Sequence, residues 1–333
     1  MITRSIPLQQ PPRWQTLLGQ SITDPEQLLR ELDLPLELLP AALQSASAFQ
    51  LRVPRGFMAR MQPGDAHDPL LRQVLPLGEE LLSVPGYSND PLAELSAMPA
   101  PGVLHKYQRR VLLTMTGACA VHCRYCFRRH YPYSDANPGR EQTRTLAYLR
   151  QQTDVNEVIL SGGDPLTLTD QRLAAQVAEL EKLPHLQRLR IHSRVPVVLP
   201  ERINTELLDW MTQTRLQVVL VIHTNHPNEI DNSVADALTR LHQAGITLLN
   251  QSVLLRGVND TAGVLIDLSE ALFAAHVLPY YLHQLDPVQG AAHFAVDDTR
   301  ARALLRDMQA RLPGYLLPGL VREQPGEPAK TRL

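Results

Sequence analysis

A chain of 333 residues with 44% hydrophobic content is long enough to bury a sizeable core as one α/β domain with an N-terminal extension. Its net charge of −2 excludes the electrostatic footprint of a nucleic-acid or membrane-surface binder. No run is long and apolar enough to span a bilayer, and the opening M-I-T-R-S-I-P-L-Q-Q-P-P lacks the apolar stretch of a secretory signal.

In chain order, residues 1–100 read as a helical, proline-punctuated extension. Apolar residues fall at helical spacing over 26–32 and 36–43, and Pro35, Pro40, Pro54, Pro63, Pro69 and Pro76 break the pattern. From Arg110 onward the pattern changes. Residues 111–116, 157–160, 188–192, 217–223, 247–254 and 277–282 read as strands. Residues 140–152, 169–182, 204–214, 233–244 and 261–274 read as the helices between them. Strands alternating with helices predict parallel βα units with right-handed crossovers, here a partial (β/α)6 TIM-like barrel over residues 101–312. A further helix is expected over 297–311. Residues 313–333, a mixed apolar run followed by G-E-P-A-K-T-R-L, form a short C-terminal tail.

In such folds the functional groups gather at the C-terminal ends of the strands. The first predicted strand is followed by C-A-V-H-C-R-Y-C, which holds Cys119, Cys123 and Cys126, the three cysteines of the chain. The second is followed by Ser161, Gly162, Gly163 and Asp164, and the third by His192-Ser193-Arg194. The fourth is followed by H-T-N-H-P-N-E from His223. The fifth carries Gln251, and the sixth runs through Tyr280, Tyr281 and His283 to Asp286. Any one of these is an ordinary turn; their recurrence marks one face of the barrel.

Three thiols within eight positions point to a metal or cluster site. A disulfide is disfavoured by the odd count and the short ring. A zinc site with His122 or His130 as fourth ligand stays open, although no second distant ligand pair stands out. Reduced cysteines place the chain in the cytoplasm.

The spacing C-x3-C-x2-C resembles the signature of radical S-adenosylmethionine (SAM) enzymes. More specifically, the chain from about Gly102 onward resembles the lysine 2,3-aminomutase family. The motifs that carry this are C-A-V-H-C-R-Y-C-F-R-R, L-S-G-G-D, S-R-V-P-V-V-L-P-E-R-I, H-T-N-H-P-N-E-I, N-Q-S-V-L-L-R-G-V-N-D and P-G-E-P-A-K-T. The chain stops three residues after Lys330, as in the short branch of that family, which makes (R)-β-lysine from (S)-α-lysine for elongation factor P (EF-P).

The resemblance implies three cofactors: a [4Fe-4S] cluster on Cys119, Cys123 and Cys126, SAM on its open iron, and pyridoxal 5′-phosphate (PLP) with Lys330 as its Schiff-base lysine. The SAM contacts it implies are Ser161, Gly162, Gly163 and Asp164, with the glycines admitting a ligand close to the backbone and Asp164 accepting from the SAM ammonium. Lys106, Tyr107, Arg110 and Gln251 fall at PLP contacts; the family pattern has arginine at 106. Arg128 matches the arginine that holds the substrate carboxylate. Asp286 and Glu323 match the two acidic residues that hold the distal ammonium of lysine, with Glu323 one methylene longer than the usual aspartate. The tail must then fold over the barrel mouth and cover the active site.

The expected activity is that of an isomerase moving the amino group of L-lysine from Cα to Cβ. The partners it implies are EF-P and its lysyl ligase, an electron donor such as flavodoxin, and a second copy of the chain in a homo-oligomer. Two alternatives remain at this point: a radical SAM aminomutase acting on another amino acid such as glutamate, and a non-catalytic iron–sulfur or zinc protein.

Overall fold

The computed structural model describes residues 13–133 and 142–333. The opening dozen residues and the start of the helix expected at 140 lie outside the described residues. Within them, the helix before β3 runs Gln142–Gln151. No helix among the described residues is long and apolar enough to cross a membrane.

Among the described residues nine strands form one sheet in sequence order. They are β1 (Val103–Tyr107), β2 (Arg110–Thr116), β3 (Glu157–Gly162), β4 (Arg188–Ser193) and β5 (Gln217–Ile222). The remainder are β6 (Thr247–Val253), β7 (Leu278–His283), β8 (Gly319–Arg322) and β9 (Thr331–Arg332). Each neighbouring pair from β2 to β8 is parallel, whereas β1–β2 and β8–β9 are antiparallel. This is a partial TIM-like barrel, open between its two antiparallel edges.

The six predicted strands correspond to β2 through β7. The sequence pattern missed three. β1 pairs back on β2 through the short turn at Gln108-Arg109, where Arg109 takes a φ of 65°. β8 and β9 belong to the segment read as a tail. Thus the chain after the helix Asp298–Gln309 contributes a seventh parallel strand and an antiparallel hairpin. Their short length and the prolines and glycines around them hide the alternation that marks a strand.

Local chemistry explains where the barrel helices start. Asn204, Asp231 and Thr261 each accept a backbone N–H three residues on, capping Thr205–Gln213, Asn232–Gln243 and Ala262–Ala274. The helix Asn232–Gln243 buries Val234, Ala237, Leu238 and Leu241 at i, i+3, i+4 and i+7, the spacing of a single core-facing stripe. β3 is buried at all six positions, as expected of a strand covered on both faces.

The N-terminal segment packs into the same core. Trp14, Leu28, Phe57 and Leu70 share one apolar cluster with Val111, Leu160 and Ile191. The extension is therefore built against the barrel and can reach its site.

Candidate active site

A cavity of about 920 Å³ opens at the C-terminal ends of the strands, within the size range of cofactor sites. The three cysteines, Ser161, Gly162, Gly163, Asp164, Lys106, Tyr107, Arg110, Gln251, Arg128, Asp286, Glu323 and Lys330 line it, whereas His130 does not.

The cysteine loop follows β2. Cys119, Cys123 and Cys126 are free thiols facing this cavity. Burial lifts the pKa of Cys119 and Cys126, the latter to about 11, and each is raised further by its neighbouring thiols. Among the described residues no three His, Cys, Asp or Glu side chains are gathered to hold a metal ion. The two candidate zinc histidines each spend one ring nitrogen on the backbone: His122 Nδ1 meets Gln50 O at 2.8 Å and His130 Nε2 meets Gln289 O at 3.1 Å.

The loop is pinned from the N-terminal segment. Arg124 is fully buried and donates to Glu80 through Nε at 2.8 Å and Nη2 at 2.6 Å, and Arg129 Nη2 meets the same carboxylate at 2.6 Å. His122 N donates to Arg52 O and Arg124 N to Gln73 O. On the far side, Arg194 Nη1 donates to Cys123 Sγ at 2.8 Å, and its Nη2 is anchored by Gln73 and Glu229.

The S-G-G-D turn after β3 meets backbone. Gly163 N donates to Thr116 O at 2.6 Å and Asp164 N to Ala118 O at 2.8 Å, lashing this turn to the cysteine loop. A Cβ on Gly162, whose φ is 118°, would lie 2.7 Å from Thr116 O, and one on Gly163 would lie 2.4 Å from Ala118 O. The glycines therefore admit the neighbouring loop at close range.

Asp164 is well supplied with protein donors. Its oxygens accept from Ser193 Oγ at 2.7 Å and from the backbone N–H of Leu166, Arg194 and Val195, and burial pushes its pKa to about 6. With four protein donors, it ties the turn to the end of β4. Sequence spacing does not show how many N–H groups converge on this carboxylate.

Across the cavity the charged side chains form an alternating chain. Glu94 holds Arg128 side-on, with Oε2 accepting from Nε at 2.6 Å and Oε1 from Nη2 at 2.8 Å. Lys106 Nζ lies 3.2 Å from Glu94 and 2.8 Å from Glu323. Glu323 Oε2 in turn accepts from Lys330 Nζ at 2.7 Å. Burial alone would raise both carboxyls, but Arg128 then Lys106 hold Glu94 below its usual range, and Lys330 then Lys106 do the same for Glu323.

Strand pairing explains why Lys330 arrives here. β8 and β9 pair Val321 with Arg332 and Arg322 with Thr331, so the next step of the same register sets Glu323 opposite Lys330. Glu94 carries no signal in the sequence. It sits in an aperiodic, proline-rich stretch 34 residues from its arginine.

Aromatic and imidazole groups make the remaining wall. Tyr280 and Tyr281 lie 3.8 Å apart between ring centroids, and the Lys330 ammonium is 5.9 Å from the Tyr281 ring. The Arg110 guanidinium stacks over Tyr107 at 4.4 Å. Gln251 Nε2 meets His223 Nε2 at 2.8 Å. Burial, reinforced by Arg194, pushes His223 down to about 3, so its neutral ring accepts from the amide.

His192 and His283 are likewise held neutral by burial, and their Nε2 atoms are buried without a hydrogen-bond partner. Burial, then the charge of Glu323, lifts Asp286 to about 7. Orphaned imidazole nitrogens, an aromatic wall, clustered cations and three free thiols fit a cluster on one side of the cavity and an anionic aromatic cofactor on the other.

A cysteine trio spaced C-x3-C-x2-C after the first parallel strand of a partial barrel defines a radical SAM enzyme. Residues 113–268 match the Radical SAM superfamily. The chain is 49% identical over 322 residues to the L-lysine 2,3-aminomutase of Escherichia coli K12, covering 96% of this chain and 94% of that one. It is 48% identical over 320 residues to the L-lysine 2,3-aminomutase of Haemophilus influenzae Rd, with the same coverage. To the enzyme of that name from Clostridium subterminale it is 35% identical over 321 residues, covering 96% of this chain and 76% of that one. The chain belongs to the L-lysine 2,3-aminomutase family. It is an isomerase whose cofactors are a [4Fe-4S] cluster, SAM and PLP.

Proposed function

We propose that this chain is an L-lysine 2,3-aminomutase that converts (S)-α-lysine to (R)-β-lysine. One observation carries the reading: the Lys330 amine and the three thiols open onto one cavity, although they are some two hundred positions apart. When bound, the cluster and SAM supply a hydrogen-abstracting radical and PLP carries the migrating amino group.

The protein's part is to place and shield the substrate. Arg128 takes the substrate carboxylate at the cysteine side of the cavity. Asp286 and Glu323 take the distal ammonium, and their paired negative charge opposes a substrate with an acidic side chain such as glutamate. On this reading Lys106, Tyr107 and Arg110 serve the PLP ring and phosphate and Gln251 its phosphate, while Tyr281 faces its lysine. Ser161, Gly162, Gly163 and Asp164 shape the SAM side.

Glu323 already accepts from Lys330, so its role toward the substrate requires that pair to open when Lys330 takes up PLP. The reaction exchanges an amino group on C2 with a hydrogen on C3 within one molecule, so its atoms and electrons balance without a net oxidant.

Supporting groups on this reading are an electron donor such as flavodoxin and a lysyl ligase that passes the product to EF-P, in the cytoplasm and in a homo-oligomer. The test is anaerobic incubation of reconstituted protein with SAM, PLP, a reductant and L-lysine, with chiral analysis of the products. (R)-β-lysine is the expected product. Its absence from protein carrying full iron and PLP would sink the assignment. Adding EF-P and its ligase tests the downstream link separately, by the mass of modified EF-P.

A further inference from the structure

Glu94 is a carboxylate from the N-terminal segment placed inside the barrel's cavity, with 3% of the residue exposed. Its backbone position is fixed locally. Asp90 accepts from the N–H of Glu94 at 2.9 Å and of Leu95 at 3.3 Å, and Ala97 N donates to Glu94 O. The side chain then spends both oxygens on one edge of Arg128 and reaches Lys106 as well.

A buried ion pair adds little net stability, because desolvating two charges offsets most of their attraction. Orienting a group is the better-founded consequence. A guanidinium has five N–H donors in a rigid fork. Glu94 occupies the Nε–Nη2 edge with two short bonds. The contacts of Nη1 are longer, 3.1 Å to Ser161 Oγ and 3.5 Å to Gly162 O. The end formed by Nη1 and Nη2 is therefore the less tightly held edge, the one an incoming carboxylate can take by displacing the Nη1 contacts, and its direction is set by Glu94. The same carboxylate ties Arg128 to Lys106 and, through Glu323, to Lys330.

We propose that Glu94 is a positioning residue for substrate recognition: it locks the side edge of Arg128 so that the end-on edge receives the α-carboxylate, and it couples that arginine to Lys106 on the PLP side. This rests on Arg128 being the carboxylate's partner. The N-terminal segment then supplies part of the recognition apparatus in addition to packing.

The experiment compares wild type, Glu94→Gln and Glu94→Asp as reconstituted holoenzymes. Steady-state kinetics with L-lysine are measured, together with binding of L-lysine and of lysinamide, which lacks the negative carboxylate. Wild-type turnover of lysine and wild-type preference for lysine over lysinamide test the underlying reading by themselves. The variants then test Glu94.

With Glu94→Gln, KM for lysine should rise about tenfold or more while kcat changes much less, the pattern of lost binding common to ground and transition states. The preference for lysine over lysinamide should shrink by a similar factor. Glu94→Asp, one methylene short of the two-point contact, should fall between. A folded Glu94→Gln protein with wild-type KM and wild-type discrimination overturns the proposal. So does a loss of turnover that follows loss of iron with discrimination intact, because that makes Glu94 a folding residue. Should Glu94→Gln fail to fold, Glu94→Asp decides: intermediate discrimination supports the proposal and wild-type discrimination overturns it.

Discussion

Lys330 Nζ donates to Glu323 Oε2 at 2.7 Å because the β8–β9 hairpin sets the two residues opposite each other at its open end. A lysine in a proline- and glycine-rich tail would ordinarily be solvated. Here the hairpin turns it back over the barrel mouth, against Tyr281. Lys330→Ala should therefore abolish the visible absorbance of lysine-bound PLP and reduce turnover to background. Iron and sulfide content should stay at the wild-type level, because the thiols are held by other elements. Absorbance spectra and iron analysis on the same sample check both halves.

Glu323 is the only carboxylate bonded to both Lys106 and Lys330 among the described residues. Glu323→Gln keeps the shape and removes the charge. A charge-assisted hydrogen bond contributes about 1.5–3 kcal/mol, so kcat/KM for lysine should fall about ten- to a hundredfold. Steady-state kinetics with lysine and with norleucine, which lacks the distal ammonium, check that the loss is confined to the ammonium-bearing substrate.

Asp286 gives a pH signature. Its pKa is raised to about 7 from an ordinary 3.8, first by burial and then by Glu323. Between these two values the folded chain keeps a proton that the unfolded chain has released. The stability of the ligand-free protein should therefore fall as pH rises across that window. Lysine binding should do the opposite and strengthen from pH 6 to pH 8, as the carboxylate becomes charged. Asp286→Asn should flatten both trends. Calorimetric titration and thermal melts across this pH range measure them.

Gly163 sits where a Cβ would lie 2.4 Å from the carbonyl oxygen of Ala118 and 2.8 Å from the carbonyl carbon of Gly117. Both obstacles are backbone, so the two loops must part. Gly163→Ala should cost about 1–3 kcal/mol, the usual penalty of overpacking, and should impair iron retention. Denaturant unfolding and iron content are the readouts.

Arg124 tests the clamp on the cysteine loop. It is buried completely against Glu80, and Arg129 shares that carboxylate. Arg124→Met should destabilise the cluster-free protein by about 3 kcal/mol, at the low end for breaking a buried pair because Arg129 still serves Glu80. Chemical denaturation of the cluster-free protein measures this.

The sequence made the barrel legible because strand-like apolar runs alternate with amphipathic helices, as in 217–243, where the β-branched Gln217–Ile222 precedes the capped helix Asn232–Gln243. It made the thiols legible because their spacing is itself the signal. The edges were harder. β9 is two residues long and β8 four, too short for alternation to register.

The sequence points to places on the barrel face and says little about which side chains pair there. Asp164 shows why. Its four donors come from residues 166 and 193–195, and only folding brings β4 beside the turn. Glu94 and Glu80 show the same limit, since each acts on arginines 34 to 49 residues away.

The most direct measurement follows one atom. L-lysine deuterated at C3 is incubated anaerobically with the reconstituted protein, SAM, PLP and a reductant, and the adenosyl products and lysine isomers are analysed by mass spectrometry. If the thiol loop and Lys330 serve one pocket, deuterium appears in 5′-deoxyadenosine or recovered SAM, and β-lysine accumulates. SAM cleavage without deuterium transfer and without β-lysine, in protein holding full iron and PLP, would contradict the account.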